Sequence, residues 1–230
     1  MQTFFLILET VGVISFAISG AIAAIDKEID LFGVLLLSLV TSFGGGIMRD
    51  VLIGNHPAFF TSYFHIFCGA VTALAVFFTA AVFKNKYVER EKLVDATNNY
   101  FDAIGLGIFS VMGARICIAS GYDSALIAIF LGMITGVGGG MIRDVCLCEI
   151  PFVLKKHVYA VAAIFGASLY YILHSFSSLP EEISMLVGVG TVFLIRILST
   201  AFKLNVPKAI IFEKTISKRE SEKSTENALL

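Results

Sequence analysis

The strongest constraint on this chain is a series of seven apolar runs, each about 20 residues long, joined by short polar segments. They cover residues 4–25, 31–53, 62–83, 100–118, 124–147, 157–173 and 183–202. A helix of about 20 residues crosses the hydrocarbon of a bilayer. It also satisfies its own backbone where there is no water to do so. A soluble fold can bury one or two such helices as core, but seven leave no polar exterior to cover them. Charged residues make up 15% of the 230, against about 25% in soluble domains. The chain therefore reads as an all-α, multi-pass membrane protein with seven transmembrane helices.

Lys and Arg set the expected orientation. The N-terminus and the connections at 54–61, 119–123 and 175–182 contain neither. The alternate connections hold Lys27, Lys84, Lys86, Arg90, Lys92, Lys155 and Lys156. Lys203, Lys208, Lys214, Lys218, Arg219 and Lys223 follow the last run. That basic side is expected to be cytoplasmic, with the N-terminus outside a cell inner membrane and the C-terminus inside. Residues 213–230, rich in Lys, Glu and Ser, read as a disordered tail. A net charge of -1 offers no field for nucleic acid. Cys68, Cys117, Cys146 and Cys148 lack zinc spacing and read as small apolar filler. His56, His65, His157 and His174 read as interfacial. No metal, cofactor or enzyme chemistry is expected.

The chain also repeats itself. The segment at 41–51, TSFGGGIMRDV, returns at 135–145 as TGVGGGMIRDV, and each copy is followed at the same distance by a proline, Pro57 or Pro151. Glu9, Gly12, Phe16, Gly20 and Ala21 align with Asp102, Gly105, Phe109, Gly113 and Ala114. The repeat unit is three helices, and an odd unit forces its two copies to lie inverted in the membrane, with a path expected at their interface. The expected divisions are a first repeat at 1–83, a linker at 84–99, an inverted second repeat at 100–175, a seventh helix at 176–203 and a tail at 204–230.

Gly44, Gly45, Gly46 and Gly138, Gly139, Gly140 are expected to kink or open the second and fifth helices, since Gly costs about 1 kcal/mol relative to Ala within a helix. Broken backbone at membrane depth must line a path or be buried in protein. Close packing through small residues is the plainer alternative. Charges inside spans are costly and usually paired or functional. Arg49 and Asp50 point about 100° apart on a helix, so pairing across the repeats is expected: Arg49 with Asp144, and Arg143 with Asp50. Such pairs brace the fold, gate a path, or do both. Glu9 and Asp102 are candidates for an ion or proton site. Arg115 and Arg196 lack repeat partners and are candidates for lipid contact.

Two Gly-Gly-Gly-x-x-Arg-Asp segments in seven spans resemble the prokaryotic TRIC family of trimeric intracellular cation channels, over residues 4–202. The same family is catalogued as an uncharacterised membrane family with glycine-transporter-like members. The resemblance implies a homotrimer with a pore in each protomer, lined by spans two and five and kinked at the glycine triplets. It implies permeation by potassium, with sodium also passing. Animal members bind phosphoinositide through a basic motif on the second span. Arg49-Asp50 stands at the comparable place here, which leaves an unspecified membrane lipid as the implied partner. A secondary transporter of glycine or another small amino acid is the competing reading.

Overall fold

A computed structural model of the chain describes residues 2–84, 91–155 and 158–202. Lys86, Arg90, Lys156, His157 and the tail from Lys203 onward lie outside the described residues. The helices are α1 Gln2–Ile25, α2 Leu31–Leu52, α3 Tyr63–Val82, α4 Glu91–Ala119, α5 Ala125–Cys146, α6 Val158–Phe176 and α7 Glu181–Ala201. All seven are long and apolar enough to cross a membrane. Two short turns interrupt the connections, Ala58–Phe60 after α2 and Phe152–Lys155 after α5. Lys27, Lys84, Lys92 and Lys155 fall at one end of the bundle, the basic end; the opposite end is called the far end.

The expected spans coincide with these helices except at α4, which starts nine residues before the apolar run that announces it. The reason is anchoring. The polar turns hold Asn98, which accepts from the Ser19 hydroxyl at 2.7 Å, and Asn99, which donates to Thr200 at 3.2 Å. The residues expected to be linker therefore continue the helix out of the apolar zone.

Burial sorts the helices. In α4, 72% of the spanning window is buried in the bundle, in α3 only 22%. Phe67, Phe78 and Val82 of α3 stand exposed, a surface suited to lipid or another subunit. Two threonines inside the bundle are satisfied locally: Thr41 and Thr135 bond back to the carbonyls of Leu37 and Leu131 at 2.7 and 2.6 Å.

The helix centres carry reciprocal contacts. Phe16 stacks on Phe109, its own repeat counterpart, with ring centroids 5.2 Å apart. Space beside Gly12 is filled by Phe109, and space beside Gly105 by Phe16. A Cβ on Gly45 would strike the Thr135 carbonyl oxygen, and one on Gly139 would strike the Thr41 carbonyl oxygen. Contacts that exchange in this way are those of an isologous two-fold arrangement. The expected opening at the triplets is corrected here: α-helix continues through both. The glycines instead let α2 and α5 touch backbone to backbone, and this packing offsets their helical cost.

Candidate functional site

The triplets deliver an arginine and an aspartate to each end of this crossing. At the far end, Arg49 Nε donates to Asp50 Oδ1 at 2.8 Å, and the second Asp50 oxygen accepts from the Ala58 amide at 3.0 Å. At the basic end, Arg143 Nε donates to Asp144 Oδ1 at 2.9 Å, and the second Asp144 oxygen accepts from the Phe152 amide at 2.7 Å. All four side chains are buried. The short turns after α2 and α5 thus serve to cap these carboxylates.

Pairing across the repeats, expected from helical geometry, does not occur. Each arginine curls back onto its neighbour because its stem is long enough to cancel the angular offset. Beside Gly46 and Gly140 the adjacent guanidinium lies 3.8 Å from where a Cβ would stand, an ordinary contact distance.

The two clusters then diverge. Arg143 also donates to Ser19 at 2.6 Å and to Asp102 at 3.3 Å. Asp102 lies 3.8 Å from Arg196, which donates to Asn99 at 2.7 Å. The Arg196 guanidinium sits 4.8 Å from the Tyr159 ring centre and 5.2 Å from that of Phe152, within cation–π range. Asp102 thus bridges two guanidinium groups. Arg196, expected at lipid, is 1% exposed and is part of the cluster. Its position on α7, outside the repeat, hid this from the sequence.

At the far end, among the described residues, no second arginine joins the cluster. Glu9, the counterpart of Asp102, faces His65 at 3.9 Å. His65 occupies the place of Tyr159, a match the sequence contains but which the change of residue type conceals. It is buried rather than interfacial. Arg115 is also not free for lipid: it donates to Glu181 at 2.8 Å and lies 3.6 Å from the Phe5 ring centre.

Each cluster opens onto its own cavity. At the basic end, a cavity of about 470 Å³ is lined by Asn98, Asn99, Asp102, Arg143, Phe152 and Thr200 among others. At the far end, one of about 30 Å³, room for a single water, is lined by Glu9, Ser42, Arg49, Asp50 and Ser62 among others. The two share no lining residue. Among the described residues, no three His, Cys, Asp or Glu converge as metal ligands. Cys117 is buried, whereas Cys146 and Cys148 are exposed at the end of α5 rather than filling the core.

The loops over each end are also latched. Lys27 and Glu149 form an ion pair at 2.6 Å at the basic end. The counterpart positions at the far end hold Asn55 and Ser120, hydrogen-bonded at 3.1 Å. The backbone repeats as well: Glu28 and Cys148 have φ of 56° and 55°, matching Gly121 and Gly54 at 90° and 74°.

A family model described as glycine transporter matches residues 6–81 and 99–175. The UPF0126 inner membrane protein YadS of Escherichia coli K12 is 34% identical over 201 residues, covering 87% of this chain and 93% of that protein. Among solved structures, a prokaryotic TRIC channel superposes with a TM-score of 0.80 at 30% identity, covering 90% of this chain and all of that one. The TRIC trimeric intracellular cation channel orthologue from Rhodobacter sphaeroides does so at 0.78 and 31% identity, over 88% of this chain and all of its own.

Proposed function

The chain belongs to the membrane-protein family described as glycine transporter, with UPF0126 proteins and prokaryotic TRIC channels as relatives, and from that premise we propose that it is a monovalent-cation channel. One observation carries the reading: two buried Arg–Asp clusters, each facing a cavity, flank a glycine crossing from opposite ends. Low-dielectric walls and alternating fixed charges suit the passage of a small ion. Each protomer of a homotrimer carries a pore along α2 and α5. The triplets serve as pivots, and the Arg–Asp pairs serve as charge gates. Potassium is the principal permeant ion, and sodium also passes. The N-terminus faces outward and the basic end faces the cytoplasm of a cell inner membrane, in keeping with the Lys bias. The first three helices and the next three are inverted copies, and α7 completes the basic-end cluster. Exposed apolar side chains on α3 contact lipid or a neighbouring protomer.

A carrier for glycine is the second reading. The 470 Å³ cavity favours it, since Asp102 and Arg143 in its lining match an ammonium and a carboxylate. Reconstitution separates the two. Unitary potassium currents without saturable glycine uptake are expected of the channel. Saturable glycine uptake without unitary current overturns it.

A further inference from the structure

The far-end cluster contains one charge that the channel reading leaves unused. Glu9 is 31% exposed at its side chain and lines the 30 Å³ cavity beside Arg49 and Asp50. Its near neighbour on α3 is His65, 5% exposed, whose Nε2 has no hydrogen-bond partner and lies 3.9 Å from the Glu9 carboxylate. From these contacts we infer that Glu9 and His65 form a proton-binding site that sets the charge presented to a passing cation. The inference rests on the channel reading.

The surroundings leave this pair to decide the local charge. From α2 come Arg49 and Asp50, which neutralise each other. The turn after α2 offers the Ala58 amide, already used by Asp50. From α4 comes Phe109, and α3 itself adds the Phe64 ring against His65. Asp102, the counterpart of Glu9, is held by Arg143 and Arg196. Guanidinium groups keep their charge at any physiological pH. Imidazole is the side chain whose charge changes between about pH 5 and 8. Glu9 thus has a switchable neighbour where Asp102 has permanent ones.

The balance is simple. With the imidazole protonated, the pair is neutral. When the proton leaves to the solution on that side, the Glu9 carboxylate stands alone at the cavity and attracts a cation. Current therefore rises with pH on the Glu9 side and does not respond to pH on the other.

Single-channel current in symmetrical potassium salt, with pH varied between about 5 and 8 on one side at a time, tests this. Acidifying the Glu9 side should reduce current several-fold. His65→Gln should hold current at the high-pH level throughout. Glu9→Gln should hold it at the low level. His56→Gln, in the exposed far-end loop, should titrate like the wild type. A His65→Gln channel that still titrates, a wild type indifferent to pH, or titration from the opposite side overturns the site. Should no current appear at any pH, the channel reading falls by itself. The site is then read by NMR of the imidazole in the solubilised protein. A His65 titration that changes in Glu9→Gln supports it. An unmoved or absent titration overturns it. This second measurement also serves if His65→Gln does not fold.

Discussion

The two ends of the bundle begin from the same instructions and reach different chemistry. Both have a glycine triplet, an arginine bent onto the next aspartate, and a turn amide on that aspartate. At the basic end, a shared carboxylate, a second arginine and two aromatic rings lock the cluster. At the far end, a glutamate and a histidine stand 3.9 Å apart. The repeated frame supplies the scaffold, and the difference comes from single residues placed on it. Outside the repeat, α7 contributes Arg196; within it, His65 stands where Tyr159 does.

The comparison breaks at once if the frame is not shared. Gly45→Ala and Gly139→Ala each drive a methyl into a carbonyl oxygen of the opposite helix. Both should cost more than the roughly 1–3 kcal/mol typical of overpacking and should abolish monodisperse protein in size-exclusion chromatography. One tolerated and the other lethal would disprove the shared crossing. Asp102→Asn should come next. It removes the one carboxylate beside buried Arg196 and one of the two on Arg143, at about 3–5 kcal/mol, whereas Glu9→Gln should barely change thermal stability. Equal losses would contradict the asymmetry. A smaller contrast separates the third glycines. A methyl at position 46 meets only a guanidinium nitrogen at 3.8 Å, so Gly46→Ala should be neutral or stabilising by up to about 1 kcal/mol. At 140 the Tyr159 hydroxyl stands at 3.2 Å, and that gain should disappear.

The smallest effect belongs to the latches. Hydrogen bonding and charge from Lys27 hold the Glu149 carboxyl below its ordinary range, and Glu149 holds the Lys27 ammonium above its own by the same means. The ionic latch is therefore complete at neutral pH. It is lost as pH falls through the lowered carboxyl value, and again as pH rises through the raised ammonium value. Both side chains are exposed, so Lys27→Gln should lower the melting temperature slightly in dilute buffer and not at all in molar salt. Asn55→Ala should show no such salt dependence.

Much of this was legible in the sequence. The seven helices follow from run length alone, because a bilayer leaves few other ways to satisfy backbone. The doubled motif located both clusters. Pairing is not legible there because helical angles describe Cβ directions, while an arginine reaches several ångströms beyond its Cβ. The place of Arg196 is not legible either, because a solitary charge near a helix end looks the same whether it faces lipid or core. Hydropathy does not show the start of α4, because it marks where lipid ends, not where a helix ends. His65 reads as interfacial because alignment by residue type conceals a histidine standing in for a tyrosine.

The latches have one more consequence. The helix between Lys27 and Asn55 separates them by about 30 Å at 1.5 Å per residue, so the two latches face different compartments. A salt or acid step at the basic end acts on the Lys27–Glu149 latch, and one at the far end acts on neither. A frame that looks the same from either face thus carries an ionised pair of loop residues at one end and a neutral pair at the other.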